Sequence, residues 1–197
     1  MAAIITRKGE VVQDPPLLQK LLNDPRAALL WLPLRIWLGY QWFDAALHKI
    51  ENPAWVQTGD ALKGFWTNAV AVPETGRPPI TFEWYRSFIQ GMLDIQAYTW
   101  FAKLVAYGEL LIGIALILGA FTGLAAFAGG FMNWNFMMAG SASTNPMLFV
   151  IAVGLILAWK VAGYIGADYY LLRLIGTPWH GQKVALPASE PEIVPNL

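Results

Sequence analysis

Between Leu104 and Met138 the chain reads LVAYGELLIGIALILGAFTGLAAFAGGFMNWNFMM, apolar except for Glu109, Asn133 and Asn135. A helix needs roughly 20 mostly apolar residues to cross about 30 Å of hydrocarbon, and this run is too long for one such helix. Gly119-Ala120-Phe121-Thr122-Gly123 is therefore predicted to be a tight turn between two antiparallel helices.

Two further apolar stretches flank this hairpin. One opens at Asn23-Asp24-Pro25, where Asp24 suits a cap and Pro25 a first helical turn, and runs through Trp31, Trp37 and Trp42 to about Ile50, with a kink expected at Pro33. The other starts at Thr144-Asn145-Pro146 and continues to Gly163 or Gly166. The expectation is an all-α integral membrane protein, a four-transmembrane-helix bundle. An N-terminal cytoplasmic segment (1–26) precedes a membrane domain (27–176), and a disordered tail (177–197) follows it. The connection 51–99 is too polar to cross lipid, and its Trp55, Leu62, Phe65 and Trp66 recur at helical spacing, as do the apolar residues from Phe82 to Leu93. It is read as two amphipathic interfacial helices between the first and second spans, either packed over the bundle mouth or acting as a lid over a ligand pocket. Small residues at four-residue spacing, Ala125/Gly129 and Ala126/Gly130, suit close helix contacts.

The 197 residues are 56% hydrophobic, above the 45–50% or so of soluble domains, and mean hydropathy is +0.45. Thirteen basic residues balance thirteen acidic ones, which leaves no basic stripe for nucleic acid. There is no cysteine, so disulfides, thiolate metal sites and iron–sulfur clusters are excluded. Arg7, Lys8, Lys20, Arg26, Arg173 and Lys183 fall on the side of the two ends. Positive-inside counting then gives a multi-pass protein of the plasma membrane with both termini cytoplasmic.

Ionisable groups inside apolar spans are default candidates for function. Gln41, Asp44 and His48 share one face of the first helix, and Lys49 follows. Asp44 with His48 reads equally as an intrahelical pair or as part of a site. Arg35 and Lys160 read as snorkelling to the interface. Glu109 must be protonated or paired, and His48 and Lys49 are its expected partners. The expectation from these residues is that Asp44, His48, Lys49, Glu109, Asn133 and Asn135 converge in one outer-leaflet pocket beneath the amphipathic segment. No metal or haem is expected, since His48 and His180 fall at opposite ends of the bundle.

Three segments carry a family resemblance. They are Arg35-Ile36-Trp37-Leu38-Gly39 with Ala46-Leu47-His48-Lys49-Ile50-Glu51-Asn52-Pro53, Gly108-Glu109-Leu110-Leu111-Ile112-Gly113 through Thr122, and Asn133-Trp134-Asn135-Phe136 to Asn145-Pro146. Together they resemble the DoxX/DoxD membrane proteins over about Ala28–Gly176. The resemblance implies a four-helix bundle and a place in a thiosulfate:quinone oxidoreductase, in which thiosulfate gives electrons to quinone, tetrathionate forms, and a DoxA-like subunit is the partner. In the site that the resemblance implies, Asp44, His48 and Glu109 act catalytically, Gln41, Trp42, Asn133, Trp134 and Asn135 bind the quinone cofactor, and Lys49, Arg77 and Arg86 are the cations suited to thiosulfate. Besides the lipid bilayer and that subunit, self-association into a homo-oligomer is a further partnership to test. A noncatalytic scaffold of a larger membrane complex is the alternative function.

Overall fold

The structure, a computed structural model, describes residues 4–5, 11–12 and 14–176. The expected tail 177–197, and His180 with it, lies outside the described residues. Strands β1 (Ile4–Ile5) and β2 (Val11–Val12) pair antiparallel, Ile4 opposite Val12. Helices follow: α1 (Pro16–Asn23), α2 (Ala28–Ile50), α3 (Pro53–Val56), α4 (Asp60–Val70), α5 (Glu83–Asp94), α6 (Tyr98–Leu118), α7 (Thr122–Met138), α8 (Asn145–Leu157), α9 (Trp159–Ala162) and α10 (Asp168–Leu174).

Local chemistry sets the boundaries. Asp24 accepts a hydrogen bond from Arg26 N at 2.9 Å and starts a single 3-10 turn, Pro25–Ala27, that leads into α2. Asn52 caps α3 by accepting from Ala54 N at 2.9 Å, with Pro53 in the first position. The hairpin turn lies where the glycines place it. Gly119 adopts the left-handed conformation (φ 67°) that ends α6, and α7 begins at Thr122. The two free N–H groups at the start of α7, on Phe121 and Thr122, donate to the buried carboxylate of Asp168, Thr122 at 2.8 Å. Arg35, 2% exposed, sends its guanidinium to the carbonyls of Ala162 and Ile165, each at 2.9 Å. It does not snorkel, because carbonyls left free at the end of α9 and just after it supply the acceptors inside the protein. Lys160 donates to Asn23 Oδ1 at 2.9 Å, tying α9 to the end of α1.

Helix α2 packs antiparallel along α6, and two glycines set the distance. A Cβ on Gly113 would lie 2.6 Å from Phe43 N, and one on Gly39 would lie 2.9 Å from Ile117 N and 3.0 Å from Gly113 O. Helix α7 packs along α8, with Gly130 3.4 Å from Ala152 Cβ by the same measure. One core cluster joins Trp31, Leu38, Trp42, Leu116, Ala126 and Leu155 between these helices. A second lies around Leu62, Trp66, Tyr85, Ile89, Ala102 and Ala139, where α4 and α5 dock on α6 and the end of α7. The connection 51–99 thus forms amphipathic helices with buried apolar faces, broken at the Pro73–Pro79 segment.

The four-transmembrane-helix architecture requires correction. Among the described residues, one helix, α6, is long and apolar enough to cross a membrane. At 1.5 Å per residue, the 17 residues of α7 and the 13 of α8 fall short of a hydrocarbon core of about 30 Å. The last stretch is interrupted at Ala158 rather than continuous to Gly163. Helix α2 has the length, 23 residues, but Arg35, Gln41, Asp44, His48 and Lys49 lower its hydropathy. The fold is mostly helical with one span-competent helix. The expected multi-pass placement in the plasma membrane, with both termini on the cytoplasmic side, falls with it, since one such helix establishes neither a multi-pass course nor a sidedness. The apolar side chains that α6 exposes, among them Leu104 (58%), Leu111 (68%) and Leu118 (59%), fit contact with lipid.

Two glycines of α6 make a paired test. Gly113→Ala should destabilise the protein by about 1–3 kcal/mol, because its methyl meets backbone that cannot move aside cheaply. Gly108→Ala, with nothing within 4 Å of its Cβ position, should be neutral or gain up to about 1 kcal/mol of helix propensity. Thermal unfolding in detergent checks both.

Candidate functional site

A cavity of about 640 Å³ opens between α4, α5, α6 and α7. Its walls are almost wholly apolar: Leu62, Phe65 and Trp66 from α4, Phe88, Ile89 and Met92 from α5, Phe101, Leu104, Val105, Leu111 and Ile112 from α6, and Ala128, Phe131, Met132 and Phe136 from α7. Gly108 adds room, because its missing side chain faces open space. Polarity is confined to one end. There the Tyr85 hydroxyl lies 3.1 Å from both Asn135 Oδ1 and the Asn135 backbone oxygen, and Asn135 Nδ2 donates to Phe131 O at 2.8 Å. Burial pushes the Tyr85 phenol up to about 12, so it remains a protonated donor at physiological pH. Trp134 meets Tyr85 edge-on at 6.3 Å and stacks on Phe131 at 6.0 Å, which holds this end in place.

A second polar group lies deeper, between α2, α6 and α7. Lys49 Nζ donates to Glu109 Oε2 at 2.6 Å, with the Glu109 side chain 1% and the Lys49 side chain 18% exposed. The ammonium also faces the rings of Trp55 (5.3 Å) and Phe136 (6.0 Å), so aromatic quadrupoles share in holding its charge. Trp42 and Asn133 are also buried, and neither the indole nitrogen nor either amide atom of Asn133 has a hydrogen-bond partner.

These features coincide with a recognised sequence family. The DoxX family model matches residues 30–139, more than half of the chain, from the first turn of α2 to just past the end of α7. The chain belongs to the DoxX family. The matched region of this DoxX protein includes the Lys49–Glu109 pair and every wall of the cavity. No curated protein and no solved structure matches the chain.

The residues singled out in the sequence divide between several places. Glu109 pairs with Lys49, whereas the expected convergence of Asp44 and His48 on Glu109 does not occur. Both sit on an exposed face of α2, side chains 51% and 76% exposed, and His48 Nδ1 lies 2.8 Å from Asp44 O and 3.6 Å from Asp44 Oδ2. Helical geometry explains this: Lys49 follows His48 by about 100°, so a face that buries Lys49 turns His48 outward. Gln41 is half-buried on α2, one residue from the buried Trp42. Asn135 lines the cavity, Trp134 supports its polar end, and Asn133 belongs to the deeper layer. Arg86 bonds Glu83 and donates to Ile80 O at 2.7 Å, while Arg77 is exposed in the α4–α5 connection. Lys49, Arg77 and Arg86 therefore form no common anion site. Among the described residues, no three His, Asp or Glu side chains converge as metal ligands. Tyr85 and Phe88 were not foreseen, and the amphipathic periodicity from Phe82 onward is the signal that could have found them.

The ion pair makes its own prediction. Lys49→Met or Glu109→Gln alone should destabilise the protein by about 3–5 kcal/mol, because each leaves one buried group without its partner. The double variant should recover most of that loss. Chemical unfolding of the four proteins in one detergent measures the coupling.

Proposed function

We propose that this DoxX-family protein is a membrane-associated redox component that binds a lipophilic quinone in the aromatic cavity. The observation that carries this reading is a large apolar pocket with a single hydrogen-bonding end. A volume of about 640 Å³ lies within the roughly 300–1,000 Å³ typical of small-molecule sites. Phe65, Phe88, Phe131 and Phe136 suit a flat ring, and the Tyr85–Asn135 pair suits a ring carbonyl. A bound quinone supplies reversible two-electron, two-proton chemistry. The chain's own residues bind and orient it: the protonated Tyr85 phenol can turn from Asn135 to donate to the ligand, Asn135 holds the phenol in register, and the aromatic walls exclude water.

Electrons must arrive from elsewhere, since the chain has no cysteine for thiol or iron–sulfur chemistry, and a redox subunit of the DoxA-like kind is the partner proposed. Thiosulfate as the donor is the less supported half, because Lys49 and Arg86 already hold carboxylates. The proposal for this chain is therefore restricted to the quinone side.

The experiment titrates a short-tailed quinone against the purified protein in detergent and reads tryptophan quenching. Gly108→Leu should fold, since nothing lies within 4 Å of its Cβ position, and should abolish binding by filling the cavity. Tyr85→Phe should weaken binding about 5-fold, the worth of one hydrogen bond of about 1 kcal/mol. Unchanged affinity in Gly108→Leu removes the cavity from consideration, and a parent protein that binds no quinone leaves the scaffold alternative.

A further inference from the structure

The deeper polar layer has more hydrogen-bonding capacity than the protein uses. Three helices hold it in register. On α2, Trp42, Ala46 and Lys49 share one face, and on α7, Gly129, Asn133 and Phe136 do the same. The two faces are pinned together at both ends. A Cβ on Gly129 would lie 2.8 Å from Trp42 Nε1 and 3.3 Å from Ile112 on α6, and the Lys49 ammonium lies 6.0 Å from the Phe136 ring. Asn133 falls between these two levels, as does Ala46 on α2, while Glu109 on α6 is fixed by its bond to Lys49.

Within this layer the donors and acceptors left over are the Trp42 indole N–H, both ends of the Asn133 amide and the remaining lone pairs of Glu109. Asn133 is fully buried and Trp42 is 3% exposed. A buried amide with neither end satisfied is among the costliest features a core can hold, and native proteins rarely keep one. Gly129 has no side chain of its own and borders the Trp42 indole nitrogen.

We propose that Trp42, Glu109 and Asn133 form a binding site for internal water, closed toward solvent by Lys49. The leftover groups include donors and acceptors together, which calls for a guest that both donates and accepts within a small space, and water does so with two to four partners. This site is distinct from the aromatic cavity and does not depend on what that cavity binds. Phe136 stands between the two, lining the cavity and facing the ammonium of Lys49. The water gives the buried Glu109 carboxylate a hydrogen-bonded contact beyond Lys49.

The test is NMR of the full chain labelled with 15N-tryptophan, in detergent, with the Trp42 indole signal assigned by its loss in Trp42→Phe. The parent should show a magnetisation-transfer peak between the Trp42 indole proton and water. Asn133→Leu should abolish it while the other indole signals stay in place, and Gly129→Ala, whose methyl crowds the indole nitrogen, should weaken it. A parent spectrum with no such peak overturns the proposal without reference to any variant. So does a peak that survives unchanged in a folded Asn133→Leu or Gly129→Ala protein.

Discussion

The close approach of α2 and α6 at Gly39 and Gly113 is the constraint on which the rest of this protein depends. With no side chain on either residue, the two backbones come near enough that a single methyl would strike main-chain atoms. Such a contact tolerates no sliding, so it fixes register along both helices. That register puts Lys49 opposite Glu109, and the ion pair is a consequence of the glycines as much as of its own attraction. Gly129 then lets α7 settle on Trp42 and Ile112, which completes the inner packing. Away from this contact α6 needs further cover. The short helices α4 and α5 supply it, and the aromatic cavity is the space they do not fill.

The two ends of the molecule use charge differently. At the end near the hairpin turn, Arg35 and Asp168 are spent on backbone: the guanidinium on carbonyls at 162 and 165, the carboxylate on the amides that open α7. Those contacts join α2, the turn and the segment after α9 in one rigid unit, and they leave little for chemistry. Toward Ile50 and Met138, Glu109 and Lys49 neutralise each other, and Tyr85 and Asn135 offer neutral hydrogen bonds.

The sequence made the fold legible wherever one residue's chemistry decides the outcome. Gly119 ended α6, Asp24 and Pro25 opened the first long segment, and the periodicity of Trp55, Leu62 and Trp66 marked an amphipathic helix. The Lys49–Glu109 pairing was legible because a lone buried carboxylate demands a cation. Span number was not. Apolar runs were measured in residues of sequence, whereas crossing depends on unbroken helix, and α8 stops at Leu157 although the apolar run continues. The Asp44–His48 face was misjudged because an i, i+4 spacing shows which residues share a face and not which way that face turns. The cavity drew on four helices and a tyrosine from the connection, and no local pattern carries that information.

What the cavity excludes is as informative as what it admits. Its polar groups, a phenol and an amide, are uncharged, and the nearby carboxylate and ammonium are already joined to each other behind Phe136. An anion entering this space would lose its hydration and meet one phenolic donor in return, which is far too little compensation. A neutral, largely apolar molecule loses almost nothing by the same transfer and gains the aromatic walls. Leu104, Leu111, Phe88 and Phe131 line the cavity and are each more than half exposed, so its open side is apolar as well. A ligand carrying an apolar tail can therefore leave that tail among side chains of its own kind. One neutral hydrogen-bonding pair among apolar walls suits a neutral ring better than a sulfur oxyanion.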